Sequence, residues 1–140
     1  MSTTADCPFC DLSEHILKDT EHAQAFLSNP RKAPGHFLVS PKRHVEKPWE
    51  LTADERKEIF DLIFFIEQKL IGNLGDGCDI RQNYRPFMQQ SKLTVNHVHF
   101  HVLPRYKEDY IYQVAEKYET DLFSELDPKE ADEVAKLLKD

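Results

Sequence analysis

Hydrophobic and polar positions along this chain fall into short alternating runs and one long run of helical period. His15-Ile16-Leu17-Lys18-Asp19 and Ala23-Gln24-Ala25-Phe26-Leu27 predict two strands joined as a hairpin across Asp19-Thr20-Glu21-His22. Asn29-Pro30 and Ala33-Pro34-Gly35 mark a loop, and His36-Phe37-Leu38-Val39-Ser40 reads as a third strand stopped by Pro41. Thr52-Ala53-Asp54-Glu55 is a capping box: the threonine hydroxyl can accept from the third helical N–H while the glutamate reaches back. Ile59, Phe60, Ile63, Phe64 and Ile66 then recur at helical spacing, so a helix should run to about Leu70 or Ile71, where Gly72, Gly75 and Gly77 end it. Asp79-Ile80-Arg81-Gln82-Asn83-Tyr84 predicts a fourth strand, and the stretch from Thr94 to Leu103 contains a fifth. Glu108–Tyr118 reads as a short helix. Asp127-Pro128-Lys129-Glu130 caps a final one, with Ala131, Val134, Ala135 and Leu138 on one face. The short connections favour one α+β domain with a mostly antiparallel sheet over a βαβ array. Ile63-Phe64-Phe65-Ile66 wraps around much of the long helix, which is expected to be covered on two sides by its own domain. The alternative is that its outer side, Phe65 included, forms a homodimer interface.

The fifth strand changes the picture from packing to chemistry. His97-Val98-His99-Phe100-His101 places three of the chain's seven histidines in five residues. On a strand all three imidazoles would share one face, with Val98, Phe100 and Val102 on the other. Three inward histidines in a core would need a partner for every ring nitrogen. A His-x-His pair on a strand is also sound metal-ligand geometry, given further ligands from another element. Third, a neutral imidazole can attack phosphorus if its second nitrogen donates to a fixed acceptor, while its neighbours hold the other oxygens.

Cysteine usage adds a second cluster. Cys7, Cys10 and Cys78 make an odd count, unlike a disulfide framework. Cys7-Pro8-Phe9-Cys10 resembles a glutaredoxin-type redox dithiol, which should follow a strand; equally it is half of a zinc site awaiting two histidines, or two thiols with no partner. With 31% charged and 40% hydrophobic residues, no secretory segment and no apolar run near the length of a membrane span, the chain reads as soluble, cytoplasmic and free of membrane partners. The net charge of −7 argues against nucleic-acid binding, and an anionic substrate would need a local cluster to overcome it.

His-x-His-x-His followed by two apolar residues and Pro104-Arg105 resembles the histidine triad (HIT) family of nucleotide hydrolases and transferases. Ala33-Pro34-Gly35-His36-Phe37-Leu38-Val39-Ser40-Pro41-Lys42-Arg43-His44 is similar to that family's strand with a fourth active-site histidine, followed by its Pro-x-x-His segment. The paired cysteines are similar to those of its zinc-bearing microbial, diadenosine polyphosphate hydrolase-like branch. The resemblance covers Cys7 to Arg105. It implies an α+β HIT domain over residues 1–105, with about five antiparallel strands and one long helix; residues 106–140 lie outside the resemblance and are expected to form a helical C-terminal extension packed on the same domain. It implies His99 as the nucleophile on the α-phosphate, forming a covalent nucleotidyl-histidine. His97 would be the first triad histidine, His101 the phosphate and leaving-group contact, and His36 the supporting histidine. It implies a structural zinc held by Cys7, Cys10, His44 and His97, with no metal required for the chemical step, and a homodimer.

Some family features are missing. The Gly-Gln pair that helps hold phosphate is replaced by Lys92-Leu93, and the upstream Asn-x-Gly segment by Arg85-Pro86-Phe87. Thr94 remains as a hydroxyl donor, Lys92 and Arg85 could supply charge, and Asn29 is the candidate ribose contact. Dinucleoside polyphosphates lead as substrates. The alternatives are a nucleoside phosphoramidate hydrolase and a non-catalytic, zinc-stabilised nucleotide-binding module.

Overall fold

A computed structural model of the chain describes residues 7–91 and 93–139. They form two compact units, one ending at Lys107 and the other beginning at Glu108. In the first unit, β1 (Lys18–Asp19), β2 (Ala23–Leu27), β3 (Phe37–Pro41), β4 (Gly77–Gln82) and β5 (Phe100–Arg105) make one sheet in the order β1-β2-β3-β5-β4. Every neighbouring pair is antiparallel. This is the α+β architecture expected from the short connections.

Helix α1 (Ala53–Leu70) starts where its sequence says it should. Thr52 accepts from Glu55 N, and Glu55 returns a carboxylate oxygen to Thr52 N at 2.8 Å. Glu55 also pairs with Arg43, so a buried acid serves as both cap and anchor. The helix ends at Ile71, after which Gly72 takes φ +85°, a left-handed conformation that favours glycine. Ile59, Leu62, Ile63, Ile66 and Leu70 are buried against Ala23, Ala25, Val39 and Val102 of the sheet.

Strand alternation sends the intervening residues to the opposite face. There Phe26 pairs with Leu38, and Leu38 with His101, in one row across β2, β3 and β5. Cys7, Phe9, Phe26 and Leu38 form a second core cluster on that side. The sheet therefore separates an ordinary helix-covered core, with Cys78 packed against it, from a face that carries His36, His101 and the Cys7–Cys10 segment.

Three expectations shift. The outer side of α1 is not covered: Phe60, Phe64 and Phe65 stay exposed. β1 has only two residues instead of five, because the chain turns at residues 13–15 and before Lys18 only Leu17 N–H still reaches β2, at Ala25 O. Most important, β5 begins at Phe100. His97 and His99 lie in the bent approach to it, where Val98 N–H donates to Val45 O at 2.6 Å instead of to a neighbouring strand. Only His101 of the three sits in the sheet.

The second unit contains α2 (Tyr110–Val114), capped by Asp109, and α3 (Pro128–Ala135), capped by Asp127, with 3-10 turns over Glu116–Leu122 and Lys136–Leu138. None of its described residues is buried. No helix among the described residues is long and apolar enough to cross a membrane.

Candidate functional site

The Cys7–Cys10 segment forms a tight turn, with Cys10 N–H donating to Cys7 O at 3.2 Å, and this aims both thiols the same way. His44, just past β3, and His97, just before β5, meet them. Cys7 Sγ lies 3.3 Å from His97 Nδ1, and Cys10 Sγ lies 3.2 Å from His44 Nδ1 and 3.6 Å from His97 Nδ1. All four donor atoms fall within 4.8 Å of one another. A tetrahedral zinc with sulfur and nitrogen ligands needs S···N edges of about 3.5 Å.

The outer ring nitrogens fix the tautomers. His97 Nε2 donates to Pro41 O at 2.8 Å, and His44 Nε2 donates to the Glu46 carboxylate at 2.8 Å. Those oxygens can only accept, so each proton sits on Nε2 and each Nδ1 offers a lone pair toward the thiols. Burial, with Cys10 alongside, pushes the Cys7 thiol up to about 12, and burial pulls His97 down to about 4. A neutral imidazole is ready to ligate. The reluctant thiol would ionise once a dication offset its desolvation. The donor set, its tautomers and its closure therefore fit a four-coordinate metal with no open position.

A different pattern holds the other histidines. The Lys32 backbone N–H donates to His36 Nδ1 at 3.1 Å. His36 Nε2 must then carry the proton, and it donates to His101 Nδ1 at 2.9 Å. That leaves His101 Nε2 as an N–H donor. The reach follows from register: Leu38 pairs with His101, so His36, two residues earlier on the same face, is its diagonal neighbour. His36 is 2% exposed, and burial, aided by the charges of Lys32, Arg81 and His99, lowers it to about 4; burial, aided by His99, His36, Lys32 and Arg81, lowers His101 to about 3. Both are neutral near pH 7.

His99 has the opposite polarity. Its Nδ1 donates to His97 O at 2.7 Å, so Nε2 keeps its lone pair. Burial lowers its basicity, only partly offset by that bond. Its ring sits 5.0 Å from His101 and 5.0 Å from Phe9, both edge-on. One nitrogen lone pair and one N–H donor thus stand side by side at a cleft of about 300 Å³. Such a pair can attack an electrophilic centre and bond to an oxygen attached to it.

The cleft is lined by His99, His101, Thr94, Arg85, Glu46 and Lys47, and by three amides, Gln82, Asn83 and Asn96. Thr94 and Arg85, both picked out in the sequence, are there. Asn29 is exposed in the loop after β2 and is not part of this lining. Lys92 lies outside the described residues. Gln82 and Asn83 escaped the sequence reading because they were counted as strand. Gln82 in fact closes β4 opposite Phe100, and the chain leaves the sheet beside His99. Phe9 escaped too: nothing in Cys-Pro-Phe-Cys says that its ring reaches both His97 and His99.

Comparison with known proteins places these features. The HIT domain family model matches residues 11–108. An uncharacterized HIT-like protein of Methanocaldococcus jannaschii is 34% identical over 95% of this chain and 98% of its own. The bis(5'-adenosyl)-triphosphatase of Dictyostelium discoideum is 31% identical over 100% of this chain and 96% of its own. The adenosine 5'-monophosphoramidase hnt1 of Schizosaccharomyces pombe is 30% identical over 74% of this chain and 77% of its own. Among solved structures, a HIT family member from Bacillus subtilis shares the fold with a TM-score of 0.70 at 24% identity, covering 95% of this chain and 94% of that one.

Proposed function

This chain belongs to the HIT domain family, and from that membership we propose that it is a nucleotide hydrolase or nucleotidyl transferase acting at an α-phosphate through His99. The observation that carries this reading is the opposed tautomers at the cleft: a lone pair on His99 Nε2 beside an N–H on His101 Nε2, each set by its partner. In the first step His99 Nε2 bonds to the α-phosphorus and the bond to the departing group breaks, leaving a nucleotidyl-histidine. In the second, water breaks that P–N bond and releases the nucleoside monophosphate. His101 meets the developing charge on the non-bridging oxygens as a fixed donor, supported by His36. Thr94 and Arg85, which line the cleft, are the further phosphate contacts; Lys92 as an added cation and Asn29, which lies outside that lining, as a ribose contact rest on the sequence alone.

Dinucleoside polyphosphates are the leading substrates. Their departing nucleoside polyphosphate is a stable anion that needs no proton, which suits a His101 held neutral. The full-length likeness to a bis(5'-adenosyl)-triphosphatase supports the same class. Phosphoramidates are the second reading, favoured by the likeness to an adenosine 5'-monophosphoramidase.

Cys7, Cys10, His44 and His97 would hold zinc. Bound there, zinc supplies cross-linking and no Lewis-acid chemistry, since all four positions are taken by the chain. The exposed Phe60, Phe64 and Phe65 on α1 support a homodimer through that face. Brief mixing with diadenosine tetraphosphate and, separately, with a fluorogenic AMP phosphoramidate tests the chemistry by mass spectrometry. A nucleotidyl adduct and released AMP are expected, both lost in His99→Ala. Full turnover by that variant would refute the mechanism.

A further inference from the structure

Phe9 is flanked by two of the four metal donors and is 9% exposed. Its own carbonyl is held from the other side: buried Gln24 donates Nε2 to Phe9 O at 3.0 Å and to Ser40 Oγ at 3.1 Å. The backbone of Phe9 is therefore pinned by the sheet and, when metal is bound, by the cysteines on either side. Its ring meets Phe26 at 5.0 Å, His97 at 6.0 Å and His99 at 5.0 Å with an interplanar angle of 83°. At that separation two rings are in van der Waals contact edge to face.

Among the described residues, one hydrogen bond fixes the orientation of His99, from Nδ1 to His97 O. A single bond leaves a competing state in which the ring turns about Cβ–Cγ, Nδ1 loses its acceptor and the tautomer is no longer chosen. Such a turn sweeps the flat ring through the space that Phe9 fills. From this we infer that Phe9 is a positioning residue, through which the Cys7-Cys10-His44-His97 site keeps the His99 ring in its attacking orientation. The inference rests on the reading of His99 as nucleophile. It gives the paired cysteines a role beyond stapling the N-terminal segment: metal is felt at the reacting nitrogen without touching substrate.

The test uses the full chain loaded with zinc, in wild-type form and as Phe9→Leu. Zinc content, melting temperature, kcat and KM on the better of the two nucleotide substrates, and ring-nitrogen NMR of His99 are compared. Phe9→Leu should keep about one zinc per chain. It should lower kcat about tenfold, leave KM within about twofold, and convert the single Nδ1–H tautomer of His99 into a mixture. Phe9→Met, of similar volume, repeats the measurement should the leucine variant fail to fold. In the wild type, removing zinc with a chelator should produce the same change in the His99 spectrum, and returning zinc should reverse it. Unchanged kcat with an unchanged His99 spectrum in a folded variant overturns the inference. A wild type inert toward both nucleotides would instead count against the proposed activity, while the spectra would still decide the role of Phe9.

Discussion

Replacing His36 by glutamine isolates the cost of keeping one imidazole neutral inside this fold. His36 is 2% exposed and its folded value is lowered to about 4 from an ordinary 6.5, because burial disfavours the cation. Between those two values the unfolded chain binds a proton that the folded chain refuses. Stability attributable to this group is therefore complete above about pH 6.5, falls as pH drops, and levels off below about pH 4. Going from about pH 7 to about pH 4.5, the loss works out at about 2 kcal/mol for His36 alone. Glutamine offers an acceptor and a donor but does not titrate, so His36→Gln should lack this component while sharing every other pH effect. Urea unfolding of both proteins at several pH values in this range gives the two stability curves. The wild-type curve should drop about 2 kcal/mol further than the variant's. Parallel curves, differing in slope by less than about 0.5 kcal/mol over the range, would refute the assignment of His36 as a buried neutral link.

Other changes probe the remaining structure. Glu55→Ala removes the carboxylate half of the capping box and the buried acid that Arg43 pairs with, and should cost about 2 kcal/mol in urea unfolding; a cost under about 0.5 kcal/mol would show that this carboxylate is idle. Cys10→Ser should abolish zinc binding by metal analysis and lower the melting temperature by about 10 °C in zinc-containing buffer, whereas an unchanged metal content would place the ion elsewhere. Phe64→Glu puts a charge on the exposed apolar face of α1. Light scattering after size exclusion should give the mass of a dimer for the wild type and a monomer for the variant, and a monomeric wild type would dispose of that interface.

Local signals carried much of this fold into the sequence. The box at Thr52 and the glycine at Gly72 bound α1 because both act within a turn of the helix they delimit. The four candidate metal donors were legible only through the resemblance to the family, which implied His44 and His97 as partners of the two cysteines, and the fold brings all four together. Strand limits were less legible, since they depend on a partner that sequence alone does not show. β5 starts only at Phe100 because β3 offers its ladder to Phe100–Val102, and the residues before it bond instead to the segment after β3. β4 starts at Gly77 and ends at Gln82, opposite Arg105 and Phe100. The alternation of His97, His99 and His101 was therefore a correct sign of chemistry read on an element too long. Their rings diverge because the backbone bends, which sends His97 to the thiols and leaves His99 beside His101. The contact from Phe9 had no local signal at all, being a meeting of residues ninety positions apart.

The metal donors also carry a schedule. Cys10 and His44 are separated by 34 positions, and Cys7 and His97 by 90. In a chain synthesised from its N-terminus, the two cysteines are made first and wait, as free thiols, until nearly the whole first unit has been added. The ligand that completes the set immediately precedes β5, the last strand made, which must enter the sheet between β3 and β4 rather than at its edge. A cation captured early by Cys7 and Cys10, and then by His44, would stay incompletely coordinated and exchangeable. Tight capture would arrive only with His97, so a firmly held metal would certify that β5 has reached its place between β3 and β4.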